Sequence, residues 1–207
     1  MRSSQVMQRA LAILSAEAEA IKQIQIGREF VTATRIVMAC KGKVIVTGMG
    51  KVGYVGRRLA ATLSSTGTPA VFIHPAEAAH GDLGLLACDA LLIAISNSGR
   101  TREVLEMVDG AKRRIPSLLT LVVTGNIPSP LAKKGDRILC YGKIKEPCPL
   151  GLTPTASIAA LSALLDALAL CVMERKGFTA EDYAQRHHSG YLGKQARKMA
   201  LLQYGSI

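Results

Sequence analysis

The 207-residue chain is 49% apolar but only 4% aromatic, has no Trp and carries a formal net charge of +11. That length fits one domain with its own core, and a mix dominated by Ala, Leu, Ile, Val and Gly suits strands buried on both faces under helices rather than a β-sandwich or a disordered chain. The basic residues are scattered over Arg57-Arg58, Lys112-Arg113-Arg114, Lys133-Lys134 and the stretch 186–198, without interleaved aromatics, so they read as a solvated surface that steers small anions, not as a nucleic-acid or membrane site.

Residues 4–40 read as one or two helices, with Val6, Ala10, Ile13, Leu14, Ile21 and Ile24 at helical spacing. Glu17, Glu19 and Lys22 interrupt the run 1–26, which therefore reads as an amphipathic helix and not a targeting signal. Residues 43–48, 69–73, 90–96, 118–124 and, more weakly, 137–141 read as strands. Residues 52–65, 101–114 and 130–135 read as the helices between them. This alternation predicts βαβ units and a parallel sheet with helices on both faces. Residues 155–176 predict a long helix ended by Gly177. Its nearly uncharged run 154–173 contains Asp166 and reads as a buried helix, not a membrane span. Thr179, with Asp182 three residues on, predicts the start of another helix, and 190–207 reads as a basic terminal helix. With no repeat, linker or low-complexity tract, the chain reads as a single domain, 1–207, with 1–40 as an N-terminal helical segment. The five cysteines are widely spaced with no CxxC, which fits a reducing, cytoplasmic compartment. No HExxH-type spacing exists, so neither metal nor cofactor is expected.

In an open parallel sheet, ligands bind beyond the carboxyl ends of the strands. After the first strand, Gly48-Met49-Gly50-Lys51-Val52-Gly53 matches GxGxxG. The signal for a dinucleotide is weak, because His74-Pro75 stands where the acidic ribose partner belongs and Glu77 comes late. Lys51 in that loop suits a single phosphate or a polarised hydroxyl. After the third strand, Ser96-Asn97-Ser98-Gly99-Arg100-Thr101 sets hydroxyls, a flexible Gly and a cation at a helix start, where unpaired N–H groups and the helix dipole favour an anion. The bland alternative, a helix cap, does not need all of those groups. Residues 75–82 gather Glu77, His80 and Asp82, which a short capped helix equally explains. In 143–155, prolines flank Glu146 on a stiff segment, so its carboxylate is either a positioned base or simply solvated. Thr155 and Ser157 add hydroxyls at the start of the long helix. His187-His188, near a helix end, reads as structural or exposed from its own context.

Taken together, Gly48-Met-Gly-Lys51, His74-Pro-Ala-Glu-Ala-Ala-His-Gly-Asp-Leu-Gly84, Ser96-Asn-Ser-Gly99, Cys148-Pro-Leu-Gly-Leu-Thr-Pro-Thr155 and Gly177-Phe-Thr-Ala-Glu-Asp182 resemble the D-arabinose 5-phosphate isomerase family of the KdsD/KpsF/GutQ type, over residues 40–195. The resemblance implies a SIS fold: a five-stranded parallel sheet between helices, in three α/β/α layers. It also implies a homotetramer with active sites shared between subunits and a small-molecule sugar phosphate as partner. The implied activity interconverts D-ribulose 5-phosphate and D-arabinose 5-phosphate and supplies Kdo synthesis. The family's catalytic positions fall on Lys51, Glu103, Glu146 and His187. Its substrate-binding positions fall on Gly48, Gly50, His80, Ser96, Asn97, Ser98, Gly99, Thr101, Thr155 and Ser157.

Such chemistry calls for a proton shuttle for ring opening, a carboxylate base and a cation at the enediolate oxygens, and these roles fall to His187, Glu146 and Lys51 respectively, with Glu103 a second acid/base or orienting group. The chain departs from the family pattern at Arg100, which stands where a Glu is usual, and at His188-Ser189-Gly190, where Pro-Gly-Gly is usual. The Ser/Thr-rich run after Pro154 is thinned to Thr155-Ala-Ser-Ile-Ala159. The tandem CBS domains that often follow are not among these residues. Two other functions fit the same phosphate loop. One is a non-catalytic phosphosugar sensor or regulator, against which the four retained catalytic identities and the shortness of the segment before the sheet weigh. The other is an isomerase of another ketose phosphate.

Overall fold

β-Branched runs alternate with helix-forming ones along this chain, and a computed structural model, which describes residues 1–204, resolves that alternation into three α/β/α layers. Strands β1 (Val44–Gly48), β2 (Ala70–Phe72), β3 (Leu91–Ile95), β4 (Leu119–Thr124) and β5 (Arg137–Cys140) form one parallel sheet in the order β2-β1-β3-β4-β5. Each β strand sends alternate side chains to opposite faces. Val44, Val46, Leu91, Ile93, Ile95, Leu121 and Val123 face one core, and Ile45, Leu92, Ala94 and Val122 face the other. Both faces are covered, which explains the unbroken apolar strands of the sequence.

Helices α2 (Arg28–Ala39), α3 (Gly50–Ser65) and α6 (Ala156–Arg175) cover the first face. The second is covered by the short α4 (Pro75–Ala78) and by α5 (Arg102–Arg114), through Val104, Met107, Val108 and Ala111. Helix α1 (Ser3–Lys22) lies against α6, so the predicted N-terminal segment is two helices broken ahead of Gly27. Helix α6 is long and apolar enough to cross a membrane. Half of its apolar window is buried, however, and it packs against α1, α2 and α3, as the core helix the sequence suggests. Its lone acid before the final turn, Asp166, is paired with Arg58 at 2.6 Å.

Some boundaries differ from the sequence expectation. Helix α3 begins at Gly50, so Lys51 stands in its first turn rather than in a loop. Strand β2 is only three residues long, because Pro69 has no N–H to give the ladder. Residues 130–135 make only a 3-10 turn, Ala132–Lys134, between Pro130 and Gly135. The last two helices are α7 (Ala180–Arg186), with the expected Thr179–Asp182 capping box, and α8 (Gly190–Tyr204). The final part of the predicted terminal helix, 205–207, lies outside the described residues.

The strand order reverses between β1 and β3, so the switch-point crevice opens beyond their carboxyl ends. Register places Gly48 opposite Ile95, Ile95 opposite Val123 and Thr124 opposite Cys140. The segments that follow these residues therefore leave the sheet side by side.

Candidate functional site

The segment 96–101 is a built turn. Ser96 is buried; its Oγ lies 2.8 Å from Thr101 Oγ1 and accepts the Gly99 N–H at 3.1 Å. Gly99 takes a left-handed φ of 65°, which only glycine adopts without cost. Its carbonyl accepts the Leu131 N–H at 3.0 Å, which ties the turn to the segment after β4. Asn97 is held from three sides: its carbonyl accepts the Gly125 N–H at 3.1 Å and the Thr124 hydroxyl at 3.2 Å, and its Oδ1 accepts the Tyr141 hydroxyl at 2.8 Å. Burial pushes the Tyr141 phenol above its ordinary pKa, so it stays a donor. Ser98 and Arg100 remain exposed, with the Arg100 N–H bonded to Ser98 Oγ. Thr101 is the N-cap of α5, so the turn presents hydroxyls and the unpaired N–H groups of a helix start at one point.

Lys51, exposed in the first turn of α3, leaves the sheet beside this turn. Gly53 passes close to the Gly48 carbonyl as α3 begins: a Cβ on Gly53 would lie 2.6 Å from that oxygen. Gly50 takes a φ of 60° with open space around it. Glu103, half-buried in the first turn of α5, has no side-chain hydrogen bond or ion pair among the described residues.

Glu146 lies on the long connection between β5 and α6 and is bonded to the start of α6. Its Oε2 accepts the N–H groups of Thr155 (2.8 Å) and Ala156 (2.9 Å), and its Oε1 that of Ser157 (3.3 Å). A carboxylate has about four lone-pair sites. Three are engaged, and the remaining one sits on Oε1, which carries the single, longest bond. The Oγ atoms of Thr155 and Ser157 are buried beside it without partners among the described residues, and such atoms ordinarily mark a place where a ligand or water belongs. Two residues on, Cys148 Sγ accepts the Thr153 N–H, and backbone donors from Thr153 and Leu152 bring its thiol down to about 7.

Two predicted residues are not brought into this group. His80 is exposed in the turn after α4 and makes no side-chain hydrogen bond among the described residues. His187 is the C-cap of α7, stacked on Tyr183 with ring centroids 3.9 Å apart and Nδ1 3.0 Å from the Tyr183 carbonyl. Helix α6 runs about 30 Å from Glu146 to the amino pole of the sheet, where Lys176 bonds Thr68 and Phe178 packs on Gly67. The seven residues of α7 cover only about 10 Å, so His187 falls well short of this chain's own turn 96–101.

Nothing in the sequence pointed to Tyr141 as the brace of Asn97, 44 positions away. Nor was there a signal for Arg9, whose guanidinium donates to the Pro147 carbonyl.

With this geometry in view, the chain can be compared with known proteins. The SIS domain profile matches residues 37–171. An arabinose 5-phosphate isomerase KdsD from Pseudomonas aeruginosa is 47% identical over 171 residues, 83% of this chain and 52% of that protein. The chain thus spans about half the length of the curated relatives it matches. A proposed phosphosugar isomerase involved in capsule formation from Bacteroides fragilis superposes with a TM-score of 0.87 at 41% identity, over 90% of this chain and 99% of that one. An Escherichia coli CFT073 protein in complex with arabinose 5-phosphate gives 0.86 at 34% identity, over 90% and 100%.

Proposed function

This chain belongs to the SIS domain family, and from that premise we propose that it is an aldose–ketose isomerase that interconverts D-ribulose 5-phosphate and D-arabinose 5-phosphate through an enediolate, supplying Kdo synthesis in the cytoplasm. The observation that carries this reading is the turn 96–101 at the start of α5, with its hydroxyls and helix-start N–H groups, set beside the Lys51-bearing start of α3 at the β1–β3 switch point, with Glu103 one turn into α5. The likeness to the arabinose 5-phosphate isomerase of P. aeruginosa and to the E. coli protein that holds arabinose 5-phosphate supports the choice of sugar.

Residues 96–101 and the start of α5 hold the phosphate. His187 moves the proton that opens the sugar ring. The base, Glu146, takes the proton from C2 of the open aldose, and the bonding pair becomes the C1–C2 double bond. Lys51 stabilises the negative oxygen. The O2 hydroxyl proton passes to O1, and Glu146, after its proton has exchanged with solvent, protonates C1 as the C2 oxygen becomes the ketone. Glu103 serves as the second acid/base or orienting group, and no metal or cofactor enters.

His187 acts on a neighbouring subunit's site, in a homotetramer. Its distance from its own phosphate turn supports this, as do the exposed apolar side chains of α1, Met7, Leu11 and Leu14, each more than 60% accessible.

Arg100 favours a second reading, an isomerase of a different ketose phosphate, because it sets a cation where relatives of this type usually carry Glu. Turnover of ribulose 5-phosphate, a hexulose 6-phosphate and a heptulose 7-phosphate by the purified protein separates the two. The expected order places ribulose 5-phosphate first by at least about 10-fold in kcat/KM, a difference of about 1.4 kcal/mol. A preference for either larger sugar replaces the proposed substrate, and binding of all three without turnover replaces the enzyme with a sensor.

A further inference from the structure

Fifteen residues, 141–155, join β5 to α6 without regular secondary structure. So long an irregular segment keeps one conformation only if something holds it. Glu146 is tied to the start of α6, and Cys148 to Thr153, but both ties close within the segment and the helix it enters. Among the described residues, one hydrogen bond reaches the main chain of 142–149 from elsewhere in the fold: the Arg9 guanidinium of α1 donates to the Pro147 carbonyl, next to Glu146. Arg9 is half-buried between two clefts, one of about 480 Å³ against Ile144 and Lys145 and one of about 610 Å³ against Pro149 and Leu150. Clefts thus border the segment on both sides of that bond, while Ile144 packs on the core beside Ala20, Ala156 and Ala160.

We infer that Arg9 is a positioning residue: α1, docked along α6, fixes through Arg9 and the Pro147 carbonyl where the Glu146 carboxylate stands. This rests on the isomerase reading for its effect on catalysis, but not for its effect on the segment. A bond from a charged donor holds a carbonyl more firmly than a neutral one. A carboxylate that must meet a substrate proton loses rate steeply with small displacements.

The test compares the wild-type protein with Arg9→Ala and Arg9→Lys. Arg9→Ala is expected to lower kcat on the order of 10- to 100-fold, with KM within about twofold, because the phosphate turn is untouched. Amide hydrogen exchange in 142–149 is expected to speed up while exchange in β3 and β4 stays as in the wild type. Arg9→Lys, which keeps a charged donor, is expected to recover most of both. Unchanged exchange in 142–149 overturns the inference, as does an unchanged kcat in an active enzyme or a KM that rises as much as kcat falls. If the wild-type chain turns over no sugar phosphate, the functional reading fails and the exchange comparison alone decides whether Arg9 holds the segment.

Discussion

Glu146→Gln is expected to lower isomerase turnover by on the order of 10²- to 10⁴-fold, the usual contribution of a general base, while phosphate binding stays within about twofold. This carboxylate performs two tasks. It caps α6 by accepting three N–H groups, and it keeps one open lone pair on Oε1 beside the unpartnered hydroxyls of Thr155 and Ser157. The amide retains a carbonyl oxygen that still accepts at the helix start, so the cost to stability is about 1 kcal/mol, that of a weakened cap. It cannot take up a proton, so catalysis is lost while the fold remains. Glu103→Gln is the matched control. Glu103 sits closer to the phosphate turn and has no hydrogen-bond partner among the described residues, so its replacement leaves the backbone unperturbed and is expected to reduce kcat less than Glu146→Gln. A larger loss at Glu103, with Glu146→Gln above a tenth of wild-type turnover, would exchange the roles of the two acids and leave Glu146 as a cap.

The second large effect is expected at Gly99. Its φ of 65° costs a side-chain-bearing residue about 1–2 kcal/mol. A methyl group there would also sit 2.5 Å from Ser129 Cβ and closer still to its Oγ, an overlap worth a further 1–3 kcal/mol or so. Ser129 cannot step aside cheaply, because its Oγ accepts the Ala132 N–H and it is itself buried. Gly99→Ala is thus expected to destabilise the protein by about 2–5 kcal/mol in chemical denaturation. It is also expected to weaken binding of inorganic phosphate at least tenfold, because relief of the overlap moves the turn away from the start of α5. Gly84→Ala, at a glycine with open space around it and no left-handed φ, should stay within about 0.5 kcal/mol of wild type. A Gly99 variant as stable as the Gly84 one would show that the turn is not held as described.

Much of the fold, and the turn proposed to hold the phosphate, is legible in the sequence alone. Val44, Ile45 and Val46 are all fully buried, so nothing polar interrupts the strand, and a buried parallel sheet writes itself as an apolar run. The phosphate turn is equally plain, because hydroxyls, Gly and a helix start fall within six consecutive positions. What stays hidden depends on pairings between distant positions. Glu146 precedes α6 by ten residues, outside the spacing by which a capping acid is recognised, so its bonds to the helix start carry no local signature. The Tyr141–Asn97 and Arg9–Pro147 bonds likewise join segments that only the folded chain brings together. Residues 130–135 read as a helix on apolar spacing, but Pro130 and Gly135 leave room for one 3-10 turn. Lys51 stands out by its place in the Gly-rich loop after the first strand, but Glu103 and a role for His187 come from the resemblance alone. The sequence around Glu103 and His187 resembles that of any helix-end charged residue.

Proton transfer between C1 and C2 of a pentose 5-phosphate, as proposed for this chain, is followed with D-arabinose 5-phosphate and the purified protein in D2O by proton NMR. Ribulose 5-phosphate carrying deuterium at C1 is expected to appear, with loss of the C2 proton signal from the remaining arabinose 5-phosphate. A spectrum unchanged over hours, under conditions where the sugar phosphate is demonstrably bound, would contradict it.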